Sequence, residues 1–159
     1  MSISVSYTSN LTTTETLSDS NISATSKTVS FDGANGSGIS TASSTAPCTM
    51  RGGGKLTLSS GAGSIDLTAI PGVNGTLQDG TGLKVQFVKL KNLGESQMWI
   101  YDDITNGYQL HGGGYDRLPV GGESLHKYSD GLADIDGTHK IIGVEGSGSD
   151  QLQYEIVMG

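Results

Sequence analysis

Nucleophilic catalysis is the first chemistry to test, because serine and aspartate are plentiful in this chain. A Ser/His/Asp enzyme needs a hydroxyl nucleophile, an imidazole base and a carboxylate that orients the base. The histidines are His111, His126 and His139, and all three fall in or beside predicted loops without a diagnostic neighbour. No G-x-S-x-G sequence joins a strand to a helix. We therefore expect no catalytic residues and predict that the protein is not an enzyme.

An acidic cluster consists of Asp130, Asp134 and Asp136, followed directly by Gly137. Calcium takes roughly six to eight oxygen ligands, and a tight Asp-x-Asp-Gly loop can supply some of them. The spacing does not match an EF-hand loop, and no glutamate follows in the register of a bidentate ligand. Solvated turn aspartates are the favoured interpretation, and calcium binding is the alternative.

The other acidic and sulfur-containing residues do not assemble into a recognisable site. Asp102 and Asp103 follow an aromatic segment and are interpreted as charges that end a strand. The single cysteine, Cys48, excludes a disulfide within the chain, and a lone cysteine with scattered histidines predicts no metal centre. We expect no metal ion and no cofactor.

Four aromatic residues, Trp99, Tyr101, Tyr108 and Tyr115, are close in sequence. Flat rings with nearby carboxylates suit the stacking of sugar rings, so these residues are a candidate glycan platform. The alternative is that the single tryptophan packs in the core or at a subunit contact.

The charge and the N-terminal segment exclude several partners. The net charge is −7, and the lysines at 84, 89 and 91 are too sparse for a phosphate groove, so no nucleic acid is expected. No signal peptide is recognisable, and no apolar run reaches the roughly 20 residues of a membrane span. These features predict synthesis in the cytoplasm and no membrane partner.

Short strands must position all of these residues. Residues 1–50 are rich in Ser and Thr, and Ile3, Val5 and Tyr7 alternate with serines. This pattern predicts an N-terminal arm with two or three strands, whose order can depend on packing against another subunit. Residues 51–159 are predicted to form a β-sandwich domain.

The strand signals are clearer after residue 55. Leu56 and Leu58 alternate with polar residues, as do Ile65 and Leu67, and the Ser-Gly-Ala-Gly sequence between the two runs predicts a hairpin. Weak helical turns are predicted at residues 125–128 or 132–135.

The segment at residues 83–91 changes phase in its middle. Leu83, Val85 and Phe87 share one face, after which the apolar positions move to Val88 and Leu90. A β-bulge where a strand passes from one sheet to another explains this change. A strand buried on both faces in its middle explains it equally well.

The number and spacing of such segments predict an all-β fold, an antiparallel β-sandwich with the jelly roll as its specific form. The strands carry few charges to guard their edges, and exposed edges of this kind pair with other chains. We therefore expect a homo-oligomer, and trimers or rings are compatible with the sequence.

Three segments carry a resemblance to known proteins. Residues 56–75, residues 79–92 and the ending at residues 146–159 resemble a small group of tailed-bacteriophage proteins that are encoded among virion genes. The resemblance covers roughly residues 55–159 and consists of strand and turn patterns. It implies a virion structural protein.

The leading functional hypothesis is a capsid decoration or cement protein that stiffens the phage head by packing between subunits. Its partner would be the major capsid protein or another virion protein, and its location the capsid surface. The alternative is a receptor- or glycan-binding module of a head fibre, tail or adhesin, in which Trp99 and Tyr101 contact the ligand.

Overall fold

A computed structural model describes most of the chain in two units. The described residues are 4–9, 12–19, 22–30, 36–41, 43–44, 47–72, 75–102, 105–128 and 132–159. One unit is Ser4–Ser40, and the other contains Thr41–Gly159. Within the described ranges the regular structure is β-strand without helix, which confirms the predicted all-β class. No helix long and apolar enough to span a membrane occurs in these ranges.

The N-terminal unit is built from β1 (Ser4–Ser9), β2 (Thr12–Asp19), β3 (Ile22–Ser30) and β4 (Gly36–Thr41). β2 pairs antiparallel with β3, and β1 pairs with β4. Val5 and Tyr7 are half-buried while their neighbours in β1 are exposed, as the sequence alternation predicts. Ile3 lies outside the described residues. The unit ends ten residues before the boundary drawn from composition at residue 50.

The C-terminal unit begins its regular structure at β5. Its strands are β5 (Met50–Thr57), β6 (Ala62–Asp66), β7 (Ile70–Pro71), β8 (Leu77–Gln78), β9 (Val85–Asn92), β10 (Met98–Asp102), β11 (Tyr115–Leu118), β12 (Glu123–Lys127), β13 (Ile141–Glu145) and β14 (Gln151–Met158). One antiparallel sheet has the order β12-β9-β14-β5, and we call it the β9–β14 sheet. The other has the order β11-β10-β13-β6, and we call it the β10–β13 sheet. β7 and β8 form a separate two-stranded ladder.

Side chains from both four-stranded sheets contribute to one hydrophobic core. Leu152 and Ile156 of β14 are fully buried, as are Met98 and Ile100 of β10, and all four belong to the same cluster. Each such side chain contributes about 1.5–3 kcal/mol by leaving water. Because period-2 alternation places every second residue inside, the intervening residues of each strand form two outer faces.

The predicted hairpin at residues 56–67 is wrong. Ser59 and Ala62 do close a tight turn with two backbone hydrogen bonds of 2.8 and 3.1 Å, helped by Ser60 and Gly61 at positive φ. However, β5 pairs with β14 and β6 pairs with β13, so the two strands enter different sheets. The turn is a corner of the fold because Leu58 and Ile65 must both reach the shared core.

β9 contains an irregularity but does not change sheets. Its pairing with β14 shifts between Val157 and Met158, which oppose Phe87 and Val85. Residues 85–88 are all buried, so the interpretation as a strand covered on both faces describes its middle. The prediction that this strand passes from one sheet to the other was wrong.

The helical turns predicted at residues 125–128 and 132–135 are absent. Leu125 and His126 lie in β12, where they pair with Lys89 and Val88 of β9. Residues 132–135 form no helix. The ladder of an edge strand satisfies the backbone of residues 123–127 better than a single isolated helical turn does.

A buried asparagine holds the connection between β11 and β12. Asn92 is 1% exposed, and its Nδ2 donates hydrogen bonds to the carbonyl oxygens of Ser96, Leu118 and Pro119 at 2.8–3.1 Å. Its Oδ1 accepts one from the Gly94 N–H at 2.8 Å. These bonds fix the point where the chain leaves one sheet for the other.

Candidate functional site

Two histidines and an aspartate meet where the edge strands of the two sheets adjoin. β11 and β12 are consecutive edge strands of opposite sheets. Asp116 of β11 and His126 of β12 are joined by a 3.0 Å hydrogen bond between Oδ2 and Nε2. His111 precedes β11, and its ring centroid lies 5.7 Å from that of His126. One ligand atom from each of the three residues lies within 4.8 Å of the others.

Asp102 holds the segment that carries His111. Its side chain is only 7% exposed, and its carboxylate accepts hydrogen bonds from the Leu110 N–H at 3.0 Å and the Gly113 N–H at 2.7 Å. Nδ1 of His111 lies 3.8 Å from Oδ1 of Asp102. Asp102 is the last residue of β10, as the sequence predicted, but its carboxylate also organises the segment that follows. Asp103 lies outside the described residues.

His111 is a partly buried imidazole that favours its neutral form. Burial lowers its pKa, against the opposing pull of the Asp102 carboxylate. Neither ring nitrogen has a hydrogen-bond partner among the described residues, and both are buried. A buried polar atom left in this state costs about 1–3 kcal/mol. Such a group requires an explanation.

Two further groups complete the surroundings of the cluster. Burial opposes ionisation of Asp116, but the hydrogen bond and charge of His126 outweigh it and hold the Asp116 pKa below its usual value. The Tyr128 ring stacks on His126 with centroids 6.2 Å apart. Burial, reinforced by the Asp102 and Asp116 carboxylates, raises the pKa of Tyr128 to about 12, so the phenol is neutral.

The cluster offers metal ligands rather than an activated nucleophile. Nε2 of His126 is paired with a carboxylate, so in this arrangement that nitrogen does not activate a hydroxyl or thiol nucleophile. Neutral imidazole and carboxylate are instead ligands for zinc and similar divalent ions. His126 was predicted to lie in or beside a loop without a diagnostic neighbour, and its partner Asp116 was not recognisable from the sequence because it belongs to the other sheet.

Of the acidic residues that suggested calcium, Asp136 is engaged by its own turn. Oδ1 of Asp136 accepts hydrogen bonds from the backbone and hydroxyl of Thr138 and from the His139 N–H, at 2.6–2.8 Å. The bonds from Thr138, followed by those from His139, hold the pKa of Asp136 far below its usual range. Asp134 lies 3.9 Å from Lys84 Nζ, and Asp130 lies outside the described residues. Asp136 is thus a turn aspartate.

Three of the four candidate aromatic residues do form a surface. Trp99 and Tyr101 of β10 and Tyr115 of β11 line a recess with Glu145 on the outer face of the β10–β13 sheet, and we call this the aromatic shelf. The Trp99 and Tyr115 rings meet edge to face with centroids 4.9 Å apart. Tyr115 is 66% exposed. Trp99 does not belong to the core cluster, so core packing was the wrong alternative for it.

The fourth aromatic residue has a structural role. Tyr108 is 1% exposed, accepts a hydrogen bond from the Val85 N–H at 3.0 Å, and donates one to the Ala133 carbonyl at 2.8 Å. It is a core residue and takes no part in the aromatic shelf.

The outer face of the β9–β14 sheet carries a groove that the sequence analysis missed. It encloses about 470 Å³, and its cationic residues are Arg51, Lys55, Lys89 and Lys91. We call it the basic groove. The lysines of β9 looked too sparse in sequence, but β14 brings them beside the cations of β5. Arg51 and Lys91 are paired with Glu155 and Glu123, each at 2.6 Å.

Comparison with known proteins gave no relative of this chain. No family model, no curated protein and no solved structure matches it.

Proposed function

We propose that this protein is a bacteriophage virion structural protein, a capsid decoration protein with a jelly-roll domain. The strand order carries the proposal. Numbered along the chain without the short β7 and β8, strands 6, 3, 8 and 1 form one sheet and strands 5, 4, 7 and 2 form the other. This interleaving is the order expected of two Greek keys wound together, which supports the jelly-roll proposal, and jelly rolls occur in viral capsid and lectin domains.

The decoration protein would act by packing alone. β5 and β6 are edge strands. β5 contains three consecutive glycines, Gly52–Gly54, so few side chains hinder the pairing of another strand with its edge. Edges of this kind accept a neighbouring strand or subunit, which supports a homo-oligomer such as a trimer. Contacts of about 1,000 Å² or more, repeated over a lattice, stabilise a shell through multivalency.

Binding to phage heads that lack the protein tests this function directly. The purified full chain is added to such heads, which are then sedimented and heated. We expect saturable co-sedimentation and a higher temperature of DNA release from the decorated heads. Absence of binding together with unchanged heat resistance would refute the decoration function.

Glycan recognition is a second candidate, and the aromatic shelf is the observation that favours it. The exposed Tyr115 ring and the half-buried Trp99 ring, beside the Glu145 carboxylate, provide a stacking surface and a hydrogen-bond acceptor for a sugar. Arg117 lies over the Trp99 ring at 5.8 Å and supports it from one side.

Substitution of the shelf separates the two candidates. The double variant Trp99→Ala, Tyr115→Ala is compared with Lys89→Ala, which alters the opposite face. Loss of binding to host cells or a glycan array in the shelf variant alone, with head binding retained, would establish recognition. Retained cell binding by a folded shelf variant would eliminate the shelf as a sugar site.

A further inference from the structure

The His111–Asp116–His126 cluster has the features of a built site and no role in the functions proposed above. Its three residues come from different parts of the fold: the segment before β11, β11 itself and β12. All three are partly buried. Asn92 fixes the β11–β12 connection, and Asp102 fixes the segment of His111, so both sides of the cluster are held in place.

The unpartnered nitrogens of His111 point to a ligand. A histidine that serves only to fill space would be expected to donate or accept a hydrogen bond once its nitrogens leave water. His111 does neither toward any described residue, although its ring lies beside His126 and Asp116. Metal-binding histidines commonly direct their other ring nitrogen toward a carboxylate, which orients the ring. The Asp102 carboxylate, 3.8 Å from Nδ1 of His111, is in the position of such a carboxylate. Nε2 is then left for a ligand.

The spacing of the other two ligand atoms suits a small cation. Nε2 of His126 and Oδ2 of Asp116 are 3.0 Å apart, and two ligands of a tetrahedral zinc ion lie about 3.3 Å apart. An ion can therefore replace the proton that the two atoms share. One ring nitrogen of His111 lies within 4.8 Å of a ligand atom on each of the other two residues, so the three side chains are close enough to converge on one ion.

We propose that His111, Asp116 and His126 bind one divalent transition-metal ion of the zinc class. The ion joins the edge strand of one sheet to the edge strand of the other, and Asp102 is a positioning residue that orients His111. Two imidazoles and a carboxylate select such ions over calcium or magnesium, which prefer oxygen ligands alone. The metal stabilises the folded chain because the unfolded chain does not bring these ligands together.

Metal titration of the full chain tests the proposal. The protein is dialysed against EDTA, transferred to metal-free buffer at neutral pH and titrated with Zn²⁺ by calorimetry, with Ca²⁺ in a parallel experiment. We expect one equivalent of Zn²⁺ to bind, the thermal midpoint to rise, and Ca²⁺ to have no effect. Co²⁺ added instead should give visible absorption bands of a site with nitrogen and oxygen ligands.

Variants locate the site. His111→Asn and His126→Asn should each weaken Zn²⁺ binding at least 100-fold, and Asp102→Asn by about 10–100-fold. The matched control is His139→Asn, because His139 contacts Asp136 in a turn outside the cluster and should leave binding unchanged. Circular dichroism establishes that each variant is folded.

Three results would overturn the proposal. They are the absence of saturable Zn²⁺ binding by the unmodified chain, preference for Ca²⁺, and loss of binding in His139→Asn equal to that in His126→Asn. If the cluster variants do not fold, the titration and the Co²⁺ spectrum of the unmodified chain decide the matter.

Discussion

The two outer faces of the C-terminal unit are made by the same strand alternation over the same core, yet they differ in chemistry and in rigidity. The face of the β10–β13 sheet carries the aromatic shelf, and the face of the β9–β14 sheet carries the basic groove. A glycine shapes each face. Gly143 lies under the ring of Tyr101, and this side chain can rotate away. Gly53 lies against the backbone of Tyr154, which cannot. The shelf is therefore adaptable and the floor of the groove is rigid.

The largest loss of folding stability is expected from a substitution at the floor of the basic groove. A Cβ added at Gly53 would lie 2.6 Å from the Tyr154 carbonyl oxygen and 3.1 Å from the Glu155 Cα. Both atoms belong to a central strand that cannot move aside, so Gly53→Ala should lower the free energy of unfolding by about 2 kcal/mol. Urea denaturation measures this loss. Gly54→Ala is the control, because its nearest atom is 3.7 Å away. Equal stability of the two variants would contradict the rigid floor.

The next largest effect is expected where β11 and β12 adjoin, at the boundary between the faces, because His111 makes the stability of the folded chain depend on pH. Burial lowers the pKa of His111 in the folded chain, so the unfolded chain binds a proton more readily. Stability is thus complete above the unfolded histidine pKa of about 6.5 and falls as the pH decreases below it. The slope attributable to His111 is at most about 1.4 kcal/mol per pH unit.

Urea denaturation in EDTA between pH 7.5 and 5 measures this slope. His111→Asn should reduce it, and His139→Asn should leave it unchanged. An identical slope in His111→Asn and the unmodified chain would show that the acid sensitivity arises elsewhere.

A smaller effect is expected under the shelf. A Cβ at Gly143 would lie 2.6 Å from the Tyr101 ring, but the ring can turn outward. Gly143→Ala should cost about 1 kcal/mol of stability and displace Tyr101. Urea denaturation gives the cost, and binding to any shelf ligand reports the displacement. Gly137→Ala, with no atom within 4 Å of the added Cβ, is the control. A loss as large as that at Gly53 would mean that the shelf is as rigid as the groove.

The smallest effect is expected from the ion pairs across the groove. Arg51 and Glu155 are 2.6 Å apart, but their side chains are 43% and 45% exposed. A double-mutant cycle with Arg51→Ala and Glu155→Ala should give a coupling of about 0.5 kcal/mol that decreases in high salt. A coupling above about 2 kcal/mol would show that the pair is shielded from solvent and stabilises the groove.

The sequence alone predicted the features that depend on neighbouring residues. Alternation identified β1, with Val5 and Tyr7 half-buried, and the strands that carry Leu56 and Ile65. Glycine and polar residues located the turn at residues 59–62. The all-β class follows from these signals, because the strand period of two is a local property of the chain.

Only the tertiary structure decided which strands become neighbours. The local pattern at residues 56–67 was that of a hairpin, but the need of both strands to face one core sends them to opposite sheets. The crossing from β11 to β12 brings Asp116 to His126, and the position of β14 between β5 and β9 brings Arg51 to the same groove as the lysines of β9. These contacts join residues from different sheets or from strands distant in sequence, so no spacing in a single sequence encodes them.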